Sequence, residues 1–138
     1  MDAGDFRSRV DAYLEARREF RGVLDPDDYA YFSFQVWQEG IARYTEYKMA
    51  RLAGDAYTPT EAFESLPDFV PFSIDADRIR DHVASELLRV SLKDSRRSAF
   101  YHVGAAEGMI LDRANPGWRR FYLTHKFYTE KYFEMPAR

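Results

Sequence analysis

The stretch Phe32-Ser33-Phe34-Gln35-Val36-Trp37-Gln38-Glu39-Gly40-Ile41-Ala42-Arg43-Tyr44-Thr45-Glu46 decides how the rest of the chain is read. Phe34, Trp37, Ile41, Tyr44 and, further on, Leu52 recur at the three- and four-residue steps of an amphipathic helix. Phe32, Val36 and Tyr47 line a second side, so a helix from about Pro26 to Ala53 is apolar on two sides and central to its domain. Asp25 can cap its start, Pro26 suits the first helical position, and Asp27 and Asp28 favour the positive end of the helix dipole. Gly54 is a natural C-terminal stop. Gly40 is the anomaly: inside a helix it costs about 1 kcal/mol against alanine, so something needs its missing side chain. Glu39, beside it, has Arg43 one turn on, in the Glu-to-Arg order that favours a simple ion pair along the helix.

Working outward, residues 2–23 form an amphipathic helix with Phe6, Val10, Tyr13, Leu14 and Phe20 on one side and charges on the other. Within the connection over residues 55–72, Thr58-Pro59-Thr60-Glu61 reads as a capping box that starts a short helix ending at Leu66-Pro67. A third long helix begins near Ser73 or Asp75 and runs to about Leu92, with Ile79, Val83, Leu87 and Val90 as its stripe, widened by Leu88 and Leu92. His82 sits beside that stripe, where a structural role is the ordinary one. After a polar junction, Ala99–Arg113 is the fourth long helix, and Gly104 and Gly108 leave a flat strip for close approach of another backbone. The tail from Trp118 to Phe133 reads as a last, ring-rich helical region, its cations interleaved with aromatics. The expectation is therefore all-α: a single domain over residues 1–138, built as a bundle of about four longer helices plus short C-terminal helices.

Composition excludes several functions. With a net charge of −3, general nucleic-acid binding has no electrostatic footing, and the basic aromatic tail is better read as docked on the core. Cysteine is absent, which removes disulfides, thiolate metal sites and a thiol nucleophile. No apolar run is long enough to span a bilayer and no leader-like segment follows Met1, so the cytoplasm is the default compartment. Ten tyrosines, eleven phenylalanines and two tryptophans suit a groove or a self-association interface as well as a core.

The octapeptide Trp37-Gln38-Glu39-Gly40-Ile41-Ala42-Arg43-Tyr44 resembles the W-x-x-E-G-x-A-x-[YF] segment of gluzincin zinc metallopeptidases, the M1-aminopeptidase-like enzymes and their relatives, in its E-G-x-A-x-Y part, with Trp37 one position closer to the glutamate. The stretch from Tyr101 through Gly104-Ala105-Ala106-Glu107-Gly108 to Trp118 is similar to the C-terminal helical region of gluzincin-like proteins. The resemblance implies that Glu39 is the third zinc ligand, with Arg43, Tyr44, Tyr101 and His102 as groove or outer-shell residues. It also implies a peptide substrate, and zinc held by an HExxH helix upstream. That HExxH is missing. At the usual spacing before Glu39 stand Ala16, Arg17 and Phe20, and no two of His82, His102 and His125 have the i,i+4 spacing of a helical clamp. One carboxylate cannot hold catalytic zinc, so the chain is expected to hold none and to be inactive by itself. It would be the C-terminal portion of a larger peptidase-like protein or a degenerate relative. The alternative is a stand-alone helical protein-interaction domain in which Glu39 simply pairs with Arg43.

Overall fold

A computed structural model describes residues 2–136, and over them the chain is an all-α bundle without strands. Helix α1 spans Ala3–Val23, with Asp2 as its cap. A long rod over residues 26–56 follows, made of α2 (Pro26–Gln35), a π turn (Val36–Gly40) and α3 (Ile41–Ala56). The remaining helices are α4 (Glu61–Glu64), α5 (Phe72–Leu87), α6 (Leu92–Ser95) and α7 (Ser98–Ala114). Two 3₁₀ turns, Trp118–Phe121 and Thr129–Phe133, close the chain.

The π turn explains why the rod looks apolar on two sides. Tyr29, Phe32, Val36, Ile41 and Tyr44 are all buried, and the step from Val36 to Ile41 is five residues where an α-helix would use three or four. The wider turn therefore joins two stripes of different phase into one buried face. Asp25 caps the rod as expected, its side chain accepting from the Asp27 amide at 2.9 Å, with Pro26 in the first turn.

Gly54 is not the stop: α3 continues to Ala56, and no glycine among the described residues has a positive φ. The missing side chain serves packing instead, since a Cβ there would lie 2.9 Å from the Ser73 amide nitrogen at the start of α5. The cap of α4 is Thr60, not Thr58, its hydroxyl accepting from the Phe63 amide at 3.3 Å. Helix α5 ends at Leu87, short of the expected Leu92. Ile79 and Val83 are buried, but Leu88 and Val90 are exposed, and the Leu92 side chain lies outside the described residues.

Helices α3, α5 and α7 pack on one another, and the π turn lies against α7. Gly40 and Gly104 meet at that crossing. A Cβ on Gly40 would overlap the Gly104 Cα and stand 2.7 Å from the Phe100 carbonyl oxygen; a Cβ on Gly108 would strike the Tyr44 ring. The glycine strip of α7 is thus the seat of the rod. The tail forms the expected short C-terminal helices as two 3₁₀ turns, not as one continuous helix. Its 3₁₀ turns sink Trp118 and Tyr132 into the core, their rings stacked at 5.8 Å.

Helix α1 is attached differently. Its one buried residue is Arg17, which the apolar pattern did not single out. Arg17 lies 3.3 Å from Glu107 of α7 and 3.0 Å from Glu130 of the tail. Tyr13 and Thr129 donate to the same Glu107 carboxylate, and Tyr29 donates to Glu130 at 2.8 Å. Burial raises the pKa of Glu107, against the pull of Arg17 and those two hydroxyls.

Candidate functional site

The side chains singled out around Glu39 separate into two places. A cleft of about 400 Å³ runs between the rod, α5 and α7. Glu39, Arg43 and Glu46 enter it from successive turns of the rod, Tyr101 and His102 from α7, and His82 from α5. The π turn aims Glu39 there, and the glycine contact beneath it brings α7 close enough to form the opposite wall.

Glu39 is half-buried and does not pair with Arg43. Arg43 turns to Glu46, and the cation nearest Glu39 is Arg97, at 3.5 Å from the start of α7. The Glu39–Arg43 pair of the alternative reading is therefore absent: Glu39 pairs with Arg97 of the α7 start, and Arg43 with Glu46.

Tyr44, expected in the groove, lies elsewhere. It is buried, packs edge-on against Trp118 at 5.5 Å, and donates to Asp112 Oδ1 at 2.8 Å. Lys48 at 2.9 Å, the Trp118 indole at 3.2 Å and Arg119 complete the shell of Asp112. Burial would raise the Asp112 pKa, but these donors and the Arg119 charge bring it below its ordinary value. Burial and the bond to Asp112 push the Tyr44 hydroxyl well up, so it stays protonated.

Sequence spacing missed the meeting of His82 and His102. They are twenty residues apart on different helices, yet their rings stand 5.2 Å apart, edge to face. His102 Nδ1 is buried without a hydrogen-bond partner. Burial lowers the His102 pKa, helped by the His82 and Arg43 charges and opposed by Glu86. His125 is remote from the pair in role, resting on the Phe121 ring at 5.8 Å. The helical reading of α5 and α7 puts both histidines on bundle helices, but only the packing of those helices puts them side by side.

A catalytic zinc of the gluzincin kind does not fit the residues around Glu39. Among the described residues, no group of three or more His, Cys, Asp or Glu side chains is arranged to hold a metal ion. The partner that Glu39 does have, Arg97, is a cation. Compared with protein-family models, curated proteins and solved structures, the chain has no significant match.

Proposed function

We propose that the chain is the C-terminal helical part of a gluzincin-like metallopeptidase, carrying the third-ligand glutamate, Glu39, without a complete catalytic centre. One observation carries this: Glu39 projects from a π turn into an accessible cleft walled by Tyr101 and His102, and does not lie along its helix paired with Arg43. π turns inside α-helices are frequent at functional sites, because the extra residue re-aims one side chain at the cost of a poorer hydrogen-bond ladder. Gly40 and Gly104 allow that turn to sit against α7.

On this proposal the two histidine ligands and the general base come from a separate HExxH segment, which this chain does not contain. A peptide substrate would belong to that complete assembly. Among the described residues no group of three or more donors is arranged for the metal, and the chain by itself is expected not to cleave peptides.

Glu39→Gln tests the assignment through stability. A ligand carboxylate left half-buried, with one exposed arginine at 3.5 Å for compensation, should lose nothing on neutralisation, so the Tm should stay or rise. Were Glu39 a structural ion-pair partner of Arg97, the variant would lose roughly 0.3–0.5 kcal/mol or more, in proportion to its burial. Urea denaturation of both proteins separates the two outcomes, and a clear loss removes the metallopeptidase assignment of this residue.

A further inference from the structure

We propose that the segment from Asp55 to Asp77 is a docking surface for a partner protein, which presents an amphipathic segment whose apolar face is edged by Lys and Arg. The surface uses no residue of the cleft and does not rest on the peptidase proposal. Tyr57, Phe63, Phe69 and Phe72 form one cluster of rings. Phe63 stands 5.4 Å from Phe69 and 6.1 Å from Phe72, and Tyr57 stands 5.9 Å from Phe72. The rings hold one another but are not covered by the bundle. Tyr57 is 53% and Phe63 38% exposed, and Leu66 and Ile74 of the same segment are about half exposed. Single exposed apolar residues are ordinary, whereas a contiguous group of them marks an interaction site.

Charge says what covers it. From Asp55 to Asp77 there are six carboxylates, on Asp55, Glu61, Glu64, Asp68, Asp75 and Asp77, and no Lys or Arg. The whole chain carries −3, so the other residues sum to +3 and the acidic excess resides in this segment. Asp55 and Asp77 approach Arg51 at 4.0 and 3.9 Å, and Asp77 also pairs with Arg80. Among the described residues, Glu61, Glu64, Asp68 and Asp75 enter no ion pair. First-turn positions in α4 and α5 suit Glu61, Glu64 and Asp75, but they do not account for the open rings among them. These carboxylates repel nucleic acid and an anionic lipid surface. They attract and steer a cationic polypeptide.

The segment is held in place from both ends. The contact of Gly54 with Ser73 pins the end of α3 to the start of α5, Thr60 caps α4, and Pro59, Pro67 and Pro71 restrict the backbone between. A surface fixed in this way binds with little ordering cost. The mode that fits is an amphipathic segment laying its apolar side chains on the rings while its cations meet Glu61, Glu64 and Asp68. A second copy of the chain is the other candidate occupant. Its tail offers exposed Leu123 and Phe127 beside Lys126, one cation against four open carboxylates and so a poorer match.

The experiment titrates the full chain into a fluorescently labelled probe, a helical peptide of Leu and Lys with the lysines along both edges of its apolar face. A twin peptide carries Glu in place of Lys. Anisotropy is expected to show saturable binding of the Lys peptide, weakened by salt, and none of the twin. Glu61→Lys/Glu64→Lys and, separately, Phe63→Ser should each weaken binding by roughly tenfold or more. Asp11→Lys/Glu19→Lys, the same change of charge on the exposed face of α1, should weaken it far less. Circular dichroism checks that each variant is folded, and Leu66→Ser replaces Phe63→Ser if the latter unfolds. Absence of saturable binding, binding of the Glu twin, or full affinity in the folded apolar variant overturns the surface. Equal weakening by the two charge variants overturns it too, since the peptide then reads net charge alone. Sedimentation showing salt-sensitive self-association that Glu61→Lys/Glu64→Lys abolishes overturns the partner in favour of a second copy. Glu39→Gln should bind the peptide as the parent does, so the peptidase proposal and this one fail separately.

Discussion

Gly40 shows at the scale of one residue why a helix tolerates a poor helix former. The energy lost to glycine's flexibility is recovered where the rod crosses α7, since any side chain there would strike backbone that cannot step aside. Gly40→Ala and Gly104→Ala should each destabilise the protein by about 1–3 kcal/mol, the usual cost of overpacking. Gly22 is the internal control: it lies in α1 with nothing within 4 Å of an added Cβ. Gly22→Ala should instead stabilise by about 0.4–1 kcal/mol, by restricting the unfolded chain. Urea midpoints of the three variants measure both signs at once. A neutral Gly40→Ala would mean that the crossing is looser than the contact implies.

At the scale of elements, the helices are held in two different ways. Helices α3, α5 and α7 share apolar contacts through Ile41, Tyr44, Val83, Ala105 and Leu111. Helix α1 fully buries only Arg17, tied to Glu107 and Glu130, and packs the partly buried Phe20 against Tyr29 and Phe32. Removing one partner from a buried ion pair costs about 3–5 kcal/mol, because the other charge is left without compensation. Arg17→Met should therefore loosen α1 selectively: hydrogen exchange should lose protection over residues 3–23 while α3 and α7 keep theirs. The double variant Arg17→Met/Glu107→Gln should recover part of the loss, since it also removes the stranded carboxylate. Equal loss of protection in α1 and α7 would show instead that the two elements open as one unit.

For the whole molecule, Asp112 is the point where α3, α7 and the tail are tied together, through Tyr44, Lys48, Trp118 and Arg119. Its folded-state pKa lies below the ordinary 3.8. A depressed carboxylate contributes stability that is fully present above the unfolded value and is lost as pH falls through the folded one. Asp112→Asn should thus have a lower Tm than the parent at pH 7, and the gap should narrow as both are taken below about pH 4. Thermal denaturation across that range checks it, and a gap that stays constant into acid would mean that the tie is not ionic.

The all-α class, the long helices and the central place of the rod were legible in the sequence, because apolar periodicity and caps are local. Asp25-Pro26 and the Gly40 and Gly104 positions spoke for themselves: each breaks a local preference that only a cap or a close contact repairs. The direction of the Glu39 carboxylate was not legible. Five-residue spacing from Val36 to Ile41 looks like two stripes until packing against α7 selects the π turn. Only tertiary structure decided that Arg43 turns to Glu46, that Tyr44 leaves the cleft for Asp112, that Arg17 is buried, and that His82 meets His102. The physical reason is common to all four. Polar side chains take partners by distance in space, and residues on different helices become neighbours only once apolar faces have set how those helices cross.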